Sequence, residues 1–243
     1  MSFRNFVFIL FLSLISLFGF AQKTALSVND VLEKTQSVFT NTPNYTVDLN
    51  YKMFGNYTKK TPMEAFDGNM VKKNKDTYLK INNTVFLTSE TKKVNVKIFE
   101  EEKAIEVSHS DKNALMTNSP VYITSFIKLF KYKDIKDMGS HYLCTLTTDE
   151  ITQLPYGRIE LHINKDNFVV TKQVLYFLAE YPYVDENGVQ QKGNPRMEVT
   201  LYNFQTKITE DSKGITHVSK YILKVGDHYR PSATYKEFKI IQN

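Results

Sequence analysis

The chain has 243 residues, of which 42% are hydrophobic, 23% charged and 13% aromatic, with nine glycines and seven prolines. These proportions exclude collagen-like, low-complexity and wholly disordered proteins. The formal net charge of +5 is too small an excess to indicate a nucleic-acid-binding protein. A chain of this length can bury a sizeable core.

Residues 1–21 have the features of a secretory signal peptide. Arg4 supplies a positive start, Phe6–Phe18 is an apolar run, and Gly19–Ala21 forms a small-x-small cleavage site before Gln22. The apolar run is shorter than the roughly 20 residues that a membrane-spanning helix needs. We therefore predict export and cleavage, which leaves a mature chain of residues 22–243.

A helix followed by a strand is predicted at the start of the mature chain. Apolar residues repeat at helical spacing between Ser27 and Phe39, and Ser27 is a suitable N-cap. Pro43 marks the end of this helix. From Tyr45 to Met53 the period changes to two, with apolar side chains on one face and polar ones on the other.

Most of the remaining chain is predicted to form short strands. They are expected at 63–72, 76–81, 84–88, 93–99, 103–108, 141–147, 157–164, 167–178, 196–206, 215–225 and 233–241. Such close spacing is typical of an antiparallel meander. The polar segment 180–195 contains Asn187-Gly188 and predicts a surface hairpin or flap. Without a repeat or a linker-like segment, residues 22–243 are expected to form a single domain.

One amphipathic helix is predicted to interrupt the meander, from Ser119 to about Tyr132. Ser119 is placed to cap it, and Pro120 takes the first helical position. Its apolar stripe includes Phe126 and Phe130.

Several strands carry apolar residues on both faces. In the strand at 167–178 we place Val170 and Tyr176 on one face and Leu175 and Phe177 on the other. Burial on two sides requires cover on both faces. We expect one strongly curved antiparallel sheet of about 11–12 strands, with both helices over its concave side and an apolar cavity there; a solid sandwich core is the alternative. The candidate cavity and lid residues are Tyr51, Met53, Phe66, Met70, Phe126, Phe130, Tyr176 and Met197.

The order of these elements resembles that of a known superfamily. The resemblance is carried by a signal peptide, a first helix and Tyr45–Leu49, and later by Ile159–Lys165, Phe168–Lys172 and Met197–Phe204. Over about residues 24–206 the chain is similar to the periplasmic lipoprotein-localisation carriers, the Lol-type outer-membrane lipoprotein-sorting proteins. The resemblance implies an incomplete, or half, β-barrel with helices over its open side and a cavity for acyl chains. The family's lid-controlling arginine has no match here, where the first strand offers only Lys52.

This resemblance implies a periplasmic protein that binds a lipid, an acyl chain or a lipidated protein as a carrier or chaperone in outer-membrane biogenesis. Secretion is the alternative destination. The alternative function is a non-catalytic accessory protein of an outer-membrane, envelope or secretion complex that uses the same scaffold without a lipid. Peripheral contact with an anionic membrane is a further expectation, based on Lys59, Lys60, Lys72, Lys73, Lys75, Lys92 and Lys93.

The sequence contains no recognisable motif for catalysis or metal binding. The five histidines are scattered, and His162 is expected to face solvent. Cys144 is the single cysteine and is expected to be a buried, inert thiol. Ser108–Asp111 contains triad residue types, but neighbours in sequence have poor triad geometry. We therefore predict a non-enzyme without catalytic residues, metal or cofactor.

Overall fold

The computed structural model describes residues 26–109, 120, 127–149 and 152–242. The helices are α1 (Val28–Asn41) and α2 (Glu210–Ile215), with 3-10 turns at Ile127–Leu129, Val218–Lys220 and Ala233–Tyr235. The strands are β1 (Asn44–Phe54), β2 (Glu64–Lys73), β3 (Asp76–Ile81), β4 (Thr84–Ser89), β5 (Val94–Phe99), β6 (Ala104–His109), β7 (Tyr132–Asp137), β8 (His141–Thr147), β9 (Tyr156–Asn164), β10 (Val170–Phe177), β11 (Tyr181–Val184), β12 (Gln190–Gly193), β13 (Arg196–Gln205), β14 (Ile222–Val225), β15 (His228–Pro231) and β16 (Lys239–Gln242). The predicted signal segment lies outside the described residues.

A single 12-stranded sheet dominates the fold, in the order β16-β6-β5-β4-β3-β2-β1-β13-β10-β9-β8-β7. Neighbouring strands of this sheet run antiparallel, except that β16 runs parallel to β6. The long strand β1 joins the two halves, because it pairs with β2 on one side and β13 on the other. The predicted mainly β fold with an N-terminal helix is confirmed, whereas closure into a half-barrel stays a prediction.

Helix α1 is stabilised at both ends. Asp30 N donates to Ser27 Oγ (3.2 Å) and Ser27 N donates to Asp30 Oδ2 (2.9 Å), so the two residues form a capping box. At the other end, Lys72 Nζ donates to the carbonyls of Phe39 (2.7 Å) and Thr40 (3.1 Å). A cation bound to the last carbonyls also suits the helix dipole. The helix buries Val31, Leu32, Thr35 and Phe39.

The first core lies between α1 and one face of the sheet. On β1 it includes Tyr45, Val47 and Leu49, each 0% exposed. The alternating burial of β1 confirms the period of two predicted for this strand. Strands β2, β8, β9, β10 and β13 contribute Met70, Cys144, Leu146, Ile159, Leu161, Ile163, Val170, Leu175, Val199 and Leu201.

The second core lies on the opposite face of the same sheet. Leu79 pairs with Met70 and Phe86 pairs with Leu79, so these three residues share the first core's face. Val85 and Leu87 alternate with Phe86 and therefore point to the other side. The second core consists of Val85, Leu87, Val94, Val96, Ile98, Ile105, Val107, Val218, Tyr221 and Ile222. Burial on two sides was expected, but the cover on this face is the chain after β13.

The predicted strands at 215–225 and 233–241 are wrong over their first halves. Residues 218–220 and 233–235 form 3-10 turns, and only the short strands β14, β15 and β16 are extended. Val218, Tyr221 and Ile222 are all buried in the second core. Val218 stands three residues before Tyr221 and four before Ile222, which is the spacing of a helical turn. Burial of these side chains overrides the preference of the local β-branched residues for a strand. The hairpin predicted at 180–195 is confirmed as β11 and β12.

The central amphipathic helix is not confirmed. Among its described residues, Ile127–Leu129 form one 3-10 turn and Tyr132 begins β7, so the predicted end at Tyr132 is wrong. Phe126 lies outside the described residues. Strand β7 was missed because most of its residues are charged or exposed, as is common on a sheet edge.

A bulge in β10 changes the face assignment made from the sequence. Val170 pairs with Ile163, but the register then shifts, so that Lys172 pairs with His162. A bulge reverses which side chains point inward. Val170 consequently belongs to the first core while Tyr176 faces the other side, and grouping these two residues was wrong.

Candidate functional site

The first-core face changes character along β1. Val47 and Leu49 are fully buried, but Tyr51 and Met53 are only half-buried. Tyr51 pairs with Phe66 of β2, and their rings stack with centroids 5.2 Å apart. Thus three of the predicted cavity residues share one end of this face.

Met197 on β13 extends this surface across the next strand. It pairs with Met53 on one side and with Leu175 on the other. Beyond Leu175, the rings of Tyr156 and Phe177 meet edge to face with centroids 5.1 Å apart. The apolar end is defined here as Tyr51, Met53, Phe66, Met197, Tyr156 and Phe177, all half-buried.

Sequence reasoning did not select Tyr156 and Phe177. The two residues pair with each other across β9 and β10. Phe177 shares a face with Leu175, which confirms the grouping predicted from the sequence. Tyr156 stands one residue before the predicted strand. Phe177 could have been selected from the sequence, because it lies two residues after Leu175 and therefore on the same face of the strand, once that face was known to be the inner one.

Two other predicted residues belong to the packed interior. Met70 is 3% exposed and Phe130 is 2% exposed, both within the first core. The hydroxyl of Tyr45 lies 4.0 Å from Met70 Sδ. An acidic group at Phe130 would therefore disrupt the core itself, which makes Phe130 unsuitable for testing a lid.

Tyr176 is separated from the other predicted residues because it faces the opposite side of the sheet. Its hydroxyl donates to Glu160 (3.0 Å), and the Arg158 guanidinium lies 3.7 Å from the ring centroid. Burial raises the pKa of Tyr176, and the charge of Glu160 raises it further. Beside it, Glu198 binds Lys172 (2.7 Å) and Arg196 (3.0 Å). This face therefore carries a network of paired charges, in contrast with the apolar end.

A cleft of about 200 Å³ lies between the β1–β2 loop and the β11–β12 hairpin. Lys59 Nζ pairs with Glu186 across it at 2.9 Å, and Asn56 Nδ2 donates to Tyr183 Oη at 3.1 Å. A Cβ at Gly55 would lie 2.5 Å from the Tyr183 ring, so only glycine permits this close approach. These contacts hold the β11–β12 hairpin against the β1–β2 loop.

Cys144 is fully buried, as expected. Burial raises the pKa of its thiol to about 12, so the reactive thiolate is not populated at neutral pH. Within the described ranges, no group of three or more His, Cys, Asp or Glu residues is arranged to hold a metal ion. The helices that the structure describes include none with the length and apolarity to cross a bilayer.

Comparisons with known proteins give structural matches only. No family model and no curated protein matches the chain. Solved structures that match include a LolA superfamily protein from Nitrosomonas europaea (12% identity, 79% of this chain and 98% of that chain, TM-score 0.37). Others are a DUF1329 family protein from Desulfovibrio piger (11%, 78% and 99%, TM-score 0.38) and the lipoprotein LppX of Mycobacterium tuberculosis (9%, 75% and 99%, TM-score 0.36).

These matches include the superfamily that the sequence resembles. Since each TM-score lies below 0.5, the proposals that follow rest on the geometry and chemistry of this chain.

Proposed function

We propose that the protein binds a lipid, an acyl chain or a lipidated protein at the apolar end. It would act after export, as a single mature domain of residues 22–243, as a periplasmic carrier or chaperone in outer-membrane biogenesis. The observation that carries the proposal is the change along β1 from fully buried Leu49 to half-buried Tyr51 and Met53.

The residue types at the apolar end suit a flexible chain. Met53 and Met197 are unbranched and polarizable, so they adapt to ligands of irregular shape. The aromatic pairs Tyr51–Phe66 and Tyr156–Phe177 supply broad apolar surfaces beside them. Acyl binding needs contact of this kind rather than directed polar groups.

Apolar contact alone is sufficient for useful affinity. Burying one methylene group contributes about 0.8 kcal/mol, so ten groups contribute about 8 kcal/mol. That free energy corresponds to a dissociation constant of about 1 μM before the cost of ordering the chain. The fully buried part of the first core already packs against α1, so the half-buried end is the part that can still gain from burial.

The test is native mass spectrometry of residues 22–243, purified without detergent from the periplasm of an exporting cell. We expect a reproducible added mass that organic extraction releases as a lipid or an acylated peptide. Protein that remains bare after mild purification and after incubation with fatty acid would contradict acyl binding.

The second candidate function is that of an accessory protein of an envelope or secretion complex. It is favoured by the β11–β12 hairpin, on which Tyr181 (52%), Val184 (52%) and Val189 (51%) are exposed. Exposed apolar groups clustered on one element are typical of a protein-binding surface. We would then expect the double variant Val184→Ser/Val189→Ser to lose a partner cross-linked in the envelope, and a variant at Met197 to keep it. The reverse pattern would favour the carrier.

A further inference from the structure

Two histidines meet across neighbouring strands on the charged face of the sheet. His162 Nδ1 lies 3.1 Å from His141 Nε2, although the residues are 21 positions apart in sequence. Their ring centroids are 5.1 Å apart and the ring planes differ by 32°. Both residues are half-buried, and His162 lies on the polar face of β9 as expected, opposite buried Leu161 and Ile163.

The register explains why the rings meet. His162 of β9 pairs with Leu143 of β8, and His141 lies two residues before Leu143 on the same face. The two side chains are therefore diagonal neighbours, a separation that imidazole rings can bridge. Strand pairing holds both backbones, so the two rings stay within reach of each other.

The distance suits two ligands of one metal ion. Imidazole nitrogen binds zinc at about 2.0–2.1 Å, so two nitrogens separated by 3.1 Å subtend an angle of about 100° at the metal. This value lies between the square-planar and tetrahedral angles. To meet at the metal, each lone pair is directed about 40° away from the line that joins the two nitrogens.

The neighbouring polar groups orient one ring and pair the nearest cation. Ser140 Oγ lies 3.3 Å from His141 Nδ1, the nitrogen remote from His162, and such an outer contact fixes a ligand's orientation. Lys172 itself is held 2.7 Å from Glu198, which limits its repulsion of a cation.

We propose that His141 and His162 form a two-histidine site for a divalent transition-metal ion of the Cu²⁺, Ni²⁺ and Zn²⁺ class. Imidazole suits these ions, and the Irving–Williams order places Cu²⁺ first. Mg²⁺ and Ca²⁺ prefer oxygen ligands and do not bind. With two protein ligands, water completes the coordination, so the ion is exchangeable. This site is independent of acyl binding, which takes place on the other face.

The first test is electron paramagnetic resonance of the mature chain with one equivalent of Cu²⁺, purified without a histidine tag. We expect nitrogen hyperfine structure from two imidazole nitrogens and a stoichiometry of one. Zn²⁺ should displace the copper when present in excess, and Mg²⁺ should not. A spectrum with a single coordinated nitrogen, or no stoichiometric binding, would overturn the proposal. This measurement needs no variant.

The second test compares His141→Gln and His162→Gln with His228→Gln, a matched change at an exposed histidine of β15. Mutation of an outer-shell partner already lowers metal affinity about 10- to 100-fold. Loss of either ligand should therefore weaken Cu²⁺ binding at least about tenfold. His228→Gln should bind as the unmodified protein does. Equal affinity in all three variants, each folded by circular dichroism, would overturn the site.

Discussion

The second core and the apolar end are both hydrophobic surfaces of one sheet, but they differ in residue type. The second core is dominated by branched aliphatic side chains such as Ile98 and Ile105, both 0% exposed, beneath the chain that follows β13. The apolar end consists of methionines and aromatic residues that are half-buried. Stiff β-branched side chains pack in one arrangement, whereas methionine adapts to several. The comparison separates a surface that stabilises the fold from one suited to a variable ligand.

The largest expected effect is on the second core. Ile98→Ala should lower the free energy of unfolding by about 2–5 kcal/mol, because it leaves a cavity among closely packed side chains. Met53→Ala at the apolar end should cost clearly less, since the half-buried site loses less contact. Urea unfolding followed by circular dichroism measures both. Equal losses would remove the distinction between the two surfaces.

The second largest effect is expected at alkaline pH, where ionisation of a tyrosine beside the second core should lower the free energy of unfolding. Burial, and to a smaller extent the charge of Glu100, raise the pKa of Tyr78 from 10.0 to about 12. The unfolded chain ionises this tyrosine first, so its contribution is complete below pH 10 and is lost as the pH rises toward 12. Tyr78→Phe should flatten part of this decline without changing stability at pH 7.

Unfolding of both proteins across pH 9 to 11.5 checks this expectation, with Tyr132→Phe at an exposed tyrosine as the control. An unchanged slope in Tyr78→Phe would show that the hydroxyl of Tyr78 is not held neutral by burial.

A smaller effect is expected at Gln173 in the first core. The side chain is 2% exposed, and its Nε2 has no hydrogen-bond partner among the described residues. A buried donor without a partner costs about 1–3 kcal/mol. Gln173→Leu should therefore stabilise the protein by about 1 kcal/mol in thermal unfolding. A loss of stability would show that the amide is bonded in solution.

The sequence was most informative where the chain is locally regular. Strands β1–β6 were predicted to within one residue and helix α1 to within two, because alternation and turn residues both signal such hairpins. The capping box of Ser27 is likewise a local signal. The six residues of the apolar end include Tyr51, Met53, Phe66 and Met197, which the strand periodicity had identified.

Features that depend on distant contacts were not predictable. The bulge after Val170 moved Tyr176 to the charged face, and no local pattern marks it. The chain around Tyr221 forms a helical turn because it packs on strands β4–β6, which are distant in sequence. His141 and His162 come together only through the register of β8 and β9. Each of these outcomes is set by tertiary pairing rather than by propensity.

The most direct test of acyl binding uses two substitutions on one strand. Met197→Asp places a charge in the apolar end, whereas Thr200→Asp places the same charge on the exposed opposite face of β13. Native mass spectrometry of both, beside the unmodified mature chain, measures the bound lipid. We expect Met197→Asp to lose most of the added mass and Thr200→Asp to keep it, with both proteins folded. Equal retention in the two variants would contradict a ligand at the apolar end.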